Sequence, residues 1–129
     1  TGMSWSIGAN ETWVVRLVLP YTCAAAGGLR FDWTLPTAPT ASYWFLIGMK
    51  NANHQTFDLT NDSGLGAQSS METDLNAANF GTGGVAIIDC ILVNAGNAGT
   101  AQLRFAQSAS NATASVLKRG GAGFGFRVA

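Results

Sequence analysis

The C-terminal third of this chain leaves no room for a helix. Ala101-Gln102-Leu103-Arg104-Phe105 alternates apolar and polar residues with the period of a half-buried strand. A polar turn over residues 106–113 follows, then a short Ser115-Val116-Leu117 strand. A glycine-rich turn over residues 118–123 leads into a last strand, Phe124-Gly125-Phe126-Arg127-Val128. Breakers this close together interrupt any 3.6-residue period before it makes an amphipathic helix.

The rest of the chain has the same punctuation. Sixteen Gly and three Pro separate short β-rich runs, the pattern of an all-β sandwich or barrel. The expected fold is all-β: one antiparallel β-sandwich domain over residues 1–129, with about eight or nine strands and essentially no helix.

A weak first strand over residues 3–7 meets a turn at Gly8-Ala9-Asn10-Glu11. The next strand, residues 12–19, sets Trp13, Val15, Leu17 and Leu19 on one face and Val14, Arg16 and Val18 on the other. Both faces are largely apolar, which suits a central strand or one covered by a neighbouring subunit. Residues 29–35 alternate cleanly, with Leu29, Phe31, Trp33 and Leu35 inward and Arg30, Asp32 and Thr34 outward. Arg16 and Asp32 are expected to face each other across these strands.

Pro36 and Pro39 end that strand. An apolar run over residues 42–50 follows, then a turn at residues 51–55 and a short strand at residues 56–59. Residues 60–78 read as a long polar loop, with one helical turn at residues 72–78. Residues 81–84 form a linker, and residues 85–93 are a strand apolar on both faces. Residues 94–99 turn into the final strands.

Charge narrows the function classes. Only 11% of residues are charged, and seven basic residues cancel seven acidic ones. An ordinary soluble domain carries about 25%. Two readings compete: a surface of uncharged polar residues, or a surface covered by copies of the chain or by a larger assembly. The second is favoured, because interface cores are depleted in charge and near-zero net charge does little to keep a lone domain dispersed. Nucleic acid is excluded as a partner, since the basic residues are scattered and only Lys118 and Arg119 are adjacent. No apolar run approaches the roughly 18 residues of a membrane span. No secretory signal is read at the start. A chain that opens on Thr1 is expected to be processed or excised from a longer polypeptide.

Titratable groups are few and dispersed. Seven carboxylates and one histidine form no recognisable catalytic pair, so no catalytic residue is assigned and the chain is read as a non-enzyme. His54 is read as a solvated loop histidine. With Cys23 or Cys90 it lacks the close ligand spacing of a zinc motif. The Asp58-Leu59-Thr60-Asn61-Asp62 segment lacks the spacing and glutamate of an EF-hand loop. Residues 120–125 feed a strand rather than a helix, so they are a turn and not a phosphate loop. No metal and no cofactor is expected. Cys23 and Cys90 read as buried free thiols, with a disulfide as the alternative. Sequons at Asn10, Asn61 and Asn111 read as chance matches.

The aromatic residues carry the one binding hypothesis. Trp13 and Trp33 alternate with core positions and are assigned inward. Tyr43 and Trp44 lie on opposite faces of one strand, so one faces outward as a stacking surface for a sugar. Trp5, near the N-terminus, is placed to pack against a partner subunit. The candidate interface or ligand-facing residues are therefore Trp5, Val14, Val18, Tyr43 and Trp44.

Four segments then fall in a familiar order. They are Thr1-Gly2-Met3-Ser4-Trp5-Ser6-Ile7 with Ala9-Asn10-Glu11-Thr12-Trp13, and Leu17-Val18-Leu19-Pro20-Tyr21 with its small-residue turn. Next comes Gly28-Leu29-Arg30-Phe31-Asp32-Trp33-Thr34 with Pro36. Last is Gly99-Thr100-Ala101-Gln102-Leu103-Arg104-Phe105-Ala106-Gln107, running through Ser115-Val116-Leu117 to the final strand. In this order they resemble the small jelly-roll or β-sandwich modules of tailed-bacteriophage structural proteins. Only residues 51–84 are unmatched, and Gly120-Gly121-Ala122-Gly123 stands where the family often has Gly-Ser. The resemblance implies a jelly-roll-like sandwich, a homotrimer and a place on the capsid or tail surface of a virion. It also implies a C-terminal module of a longer virion protein, partnered by copies of itself and other phage virion proteins. It brings no catalytic residues. The alternative is a host-receptor or glycan-binding head of a phage fibre, using exposed aromatics and the loop at residues 60–78.

Overall fold

The computed structural model describes residues 3–23, 28–51, 54–58, 84–107 and 109–129. Among these residues there are nine strands and no helix. They are β1 (Ser4–Ile7), β2 (Thr12–Thr22), β3 (Arg30–Thr34), β4 (Ala41–Asn51), β5 (His54–Asp58), β6 (Gly84–Val93), β7 (Gly99–Ala106), β8 (Val116–Leu117) and β9 (Ala122–Arg127).

The strands form two antiparallel sheets. The smaller has the order β1-β7-β3. The larger runs β5-β4-β6-β2, and beyond β2 the next position is divided between β9 and β8. β9 pairs with Trp13–Val18 of β2, and β8 pairs with Tyr21 and Thr22.

Alternation decides the core. In β2, Val15, Leu17, Leu19 and Tyr21 are buried. Their register partners Cys90, Ile88 and Ala86 in β6 are buried with them, as is Leu92 opposite Trp13. From the smaller sheet come Ile7, Phe31, Trp33, Ala101 and Leu103, joined by Leu29 just before β3. One apolar cluster thus draws on both sheets, as the layers of a β-sandwich do. Burying each large side chain in it is worth roughly 1.5–3 kcal/mol.

β9 contributes to this core by having no side chains there. Its inward positions are Gly123 and Gly125, opposite Leu17 and Val15. A Cβ on Gly123 would collide with Leu17 Cδ2. Trp5, reaching over from the smaller sheet, covers the same strip and also packs at a tilt against Trp33, with ring centroids 6.1 Å apart.

The structure departs from the sequence reading in four places. Arg16 does not meet Asp32, because β2 and β3 belong to different sheets; Arg16 faces Asp89 in β6 and Asp32 faces Arg104 in β7. The turn expected at residues 51–55 is shorter, and His54 opens β5 opposite Asn51 rather than sitting in a loop. The ladder runs past the apolar residues because backbone pairing does not require apolar side chains, and a register shift between Met49 and Asn51 absorbs the mismatch. The last strand begins at Ala122, two residues earlier than its first aromatic, since Gly123 already pairs with Leu17. Trp5 is half-buried against the core. The polar loop at residues 60–78, with its helical turn, lies outside the described residues, as does most of the 81–84 linker.

Candidate functional site

Among the described side chains, the outward face of the larger sheet is largely apolar and that of the smaller sheet is polar. On the smaller sheet, Ser4, Ser6, Thr34, Thr100, Gln102 and Arg104 are exposed. That is the ordinary pattern for an antiparallel layer against water. On the larger sheet the outward positions read differently, row by row.

The first row crosses four strands in register. Phe126 of β9 lies opposite Val14, Val14 opposite Ile91, and Ile91 opposite Tyr43. Phe126 is 48% exposed, Ile91 45% and Tyr43 44%. In the second row, Phe124 (54% exposed) lies opposite Arg16, which lies opposite Asp89. The third row sets Ala122 against Val18 and Val18 against Ile87. Val85 and Val116 extend the apolar surface, both exposed. Large exposed apolar patches are uncommon on lone domains and mark interaction sites.

Among the described side chains, the Arg16–Asp89 ion pair interrupts this face. The Arg16 guanidinium donates through Nε and Nη2 to the two carboxylate oxygens of Asp89. That hydrogen bonding, with the carboxylate charge, holds Arg16 above its ordinary range. The two charges offset each other, so this pair adds no net charge to the apolar rows.

The end of β9 is latched by Glu11. Its carboxylate accepts from the Gly8 N–H at 2.6 Å, Trp13 Nε1 at 2.8 Å and Arg127 Nη1 at 3.0 Å. The Trp13 bond foremost, then the Gly8 and Arg127 bonds, hold the Glu11 carboxyl below its usual range. The Val128 N–H also donates to the Thr12 carbonyl at 2.8 Å. Behind the latch, buried Asn94 donates from Nδ2 to the carbonyls of Gly8 and Asn97, and from its backbone N–H to that of Glu11. Asn10 takes the left-handed conformation (φ 60°) that this tight turn requires, one that asparagine tolerates.

The sequence-selected residues divide accordingly. Val14, Val18 and Tyr43 share the apolar outer face. Trp5 is turned inward, and Trp44 holds the register position opposite Cys90. Cys23 and Cys90 are not joined in a disulfide, and burial pushes the Cys90 thiol up to about 12. Among the described residues no group of three or more His, Cys, Asp or Glu side chains is gathered to hold a metal. No helix among them is long and apolar enough to cross a membrane.

Sequence reasoning missed Asp89, Phe124, Phe126 and Glu11. Asp89 had a signal: it is the lone charge in an apolar strand, as Arg16 is in another, and isolated charges in adjoining strands seek each other. Glu11 gave none, since its three donors come from separate points in the sequence.

No family model matches this chain, and no curated protein or solved structure matches it either.

Proposed function

We propose that the protein is a non-enzymatic structural module that acts by assembly. Copies meet through the apolar outer face of the larger sheet. The single observation behind this reading is the contrast between the two sheet faces: Val14, Val18, Tyr43, Ile87, Ile91, Phe124 and Phe126 look outward where the smaller sheet presents Ser, Thr, Gln and Arg. Burying such a face removes apolar area from water at about 25 cal/mol per Å² before the costs of association. It also accounts for the low charge of the chain.

The order of the four segments supports a narrower reading. In it the module is a tailed-phage virion protein, a capsid decoration or tail-fibre element, and a homotrimer at the virion surface. The chain passes between the sheets repeatedly, β1 to β2, β2 to β3, β3 to β4, β6 to β7 and β7 to β8, which favours a jelly-roll-like connectivity.

Light scattering across a dilution series tests the assembly. Trimeric association through the sheet face is expected, and Ile91→Glu is expected to abolish that three-fold contact while the chain stays folded. A wild-type monomer at micromolar concentration overturns self-assembly. Tyr43, exposed beside Ile91, supports a second reading as a glycan-binding head of a phage fibre. Binding on a glycan array that Tyr43→Ala abolishes would favour it.

A further inference from the structure

We propose that the free edge of β9 pairs antiparallel with β9 of a second copy, about a two-fold axis through Gly125, joining two six-stranded sheets into one. This contact is made by a strand edge and does not depend on the sheet-face assembly above.

The ladder shows which groups face that edge. The register places Val128 next after the Trp13–Arg127 pair, opposite Thr12, and its N–H donates to the Thr12 carbonyl. In an antiparallel ladder, alternate residues turn both N–H and C=O toward the same neighbour. Phe126, Phe124 and Ala122 therefore bond to β2. Arg127, Gly125 and Gly123 turn their N–H and C=O groups away from it. No described strand pairs with that side of β9.

Edge strands usually carry a guard: a charge, a proline, a bulge or a covering loop. Ala122–Phe126 has no charge and no proline, and its pairing with β2 runs without a register shift. The one charge, Arg127, is drawn to Glu11.

The edge is complementary to itself. Its outward groups are spaced evenly about Gly125, so a two-fold axis there sets Gly125 opposite the partner's Gly125. Gly123 then lies opposite the partner's Arg127, and the two arginines stay apart. Opposed residues point to the same face of a sheet, so Phe124 meets the partner's Phe126 on the apolar side. Both are now about half exposed, and cross-strand aromatic pairs stabilise a sheet. A polar peptide laid on this edge would leave both rings uncovered, which is why a second copy is the occupant.

Phe124 and the partner's Phe126 form a non-hydrogen-bonded pair, with Cα atoms about 4.5 Å apart, within reach of a disulfide. Phe124→Cys and Phe126→Cys chains, co-expressed and oxidised, are expected to give a covalent heterodimer by intact mass. The heterodimer should exceed the crosslinking of wild type, whose cysteines serve as control. It is expected to persist when both chains also carry Ile91→Glu, which separates the edge contact from the face contact. Heterodimer at the wild-type level, or lost with Ile91→Glu, overturns the proposal. So does either variant crosslinking with itself as well as the mixture does, since that requires another register. As a second measurement, Arg127→Pro and Arg127→Ala both remove the Glu11 ion pair, but only proline removes the edge N–H. Self-association in the Ile91→Glu background should weaken severalfold with proline relative to alanine, and equal association overturns the pairing.

Discussion

The Trp5 indole occupies the space that a side chain on Gly125 would need. A Cβ at position 125 would stand 2.7 Å from Trp5 Nε1, 2.9 Å from Cδ1 and 3.1 Å from Val15 Cγ2. Trp5 belongs to the smaller sheet and Gly125 to the larger, so this contact closes one margin of the fold. Gly125→Ala should therefore destabilise by about 1–3 kcal/mol, as overpacking does. In a Trp5→Ala background the same change should cost much less. Urea unfolding of the four proteins measures the coupling, and additivity would refute the contact.

Glu11 should make the fold acid-sensitive. Its carboxyl is held below the ordinary value of 4.5, so it contributes stability above that value. The contribution is lost as pH falls through the lower folded value. Glu11→Gln should flatten the acid limb of the stability–pH curve and leave the neutral-to-basic limb unchanged in slope. Urea midpoints from neutral to acid pH give the comparison.

Cys90 should be silent toward thiol reagents in the folded protein. The thiolate is the reactive form, and burial raises this thiol to about 12. Cys23 is only half-buried. Labelling followed by intact mass should modify Cys23 first and Cys90 only with unfolding. Rapid native labelling of both would contradict the burial of Cys90.

The Arg16–Asp89 pair should report on whether the sheet face becomes covered. Asp89→Ala leaves a lone cation among apolar neighbours, so it should weaken self-association. Replacing both partners, Arg16→Met with Asp89→Leu, should restore or strengthen it. Light scattering reads both. Identical behaviour of wild type and Asp89→Ala would mean that the face stays in water.

Asn94 should act as a bracket for the turn that carries Glu11. Its amide donates to the Gly8 carbonyl at 2.7 Å and to that of Asn97 at 2.8 Å, both lost in Asn94→Ala. Losing these two part-buried hydrogen bonds costs about 0.5–1.5 kcal/mol each. The thermal midpoint should fall, and hydrogen exchange should rise at the β1–β2 turn before the rest of the protein.

Local pattern determined the elements. Strand period alone placed Val15, Leu17 and Leu19 inward on β2, and Phe31 and Trp33 inward on β3, because successive side chains on a strand must alternate. The same rule set Val14 and Val18 on the opposite side and flagged Tyr43. Glycine and proline spacing excluded long helices from the reading, and the scarcity of charge pointed to a covered surface.

Tertiary structure decided what those elements meet. Arg16 finds Asp89, 73 residues away, because β6 and not β3 lies beside β2. Phe124 and Phe126 face outward because Trp5 and Leu17 fill the strip behind Gly123 and Gly125. Trp5 turns inward for the same reason. Sequence fixes side-chain alternation locally, since it follows from covalent geometry. Strand order and sheet partnership arise from packing between residues far apart in the chain, and local pattern carries no record of them.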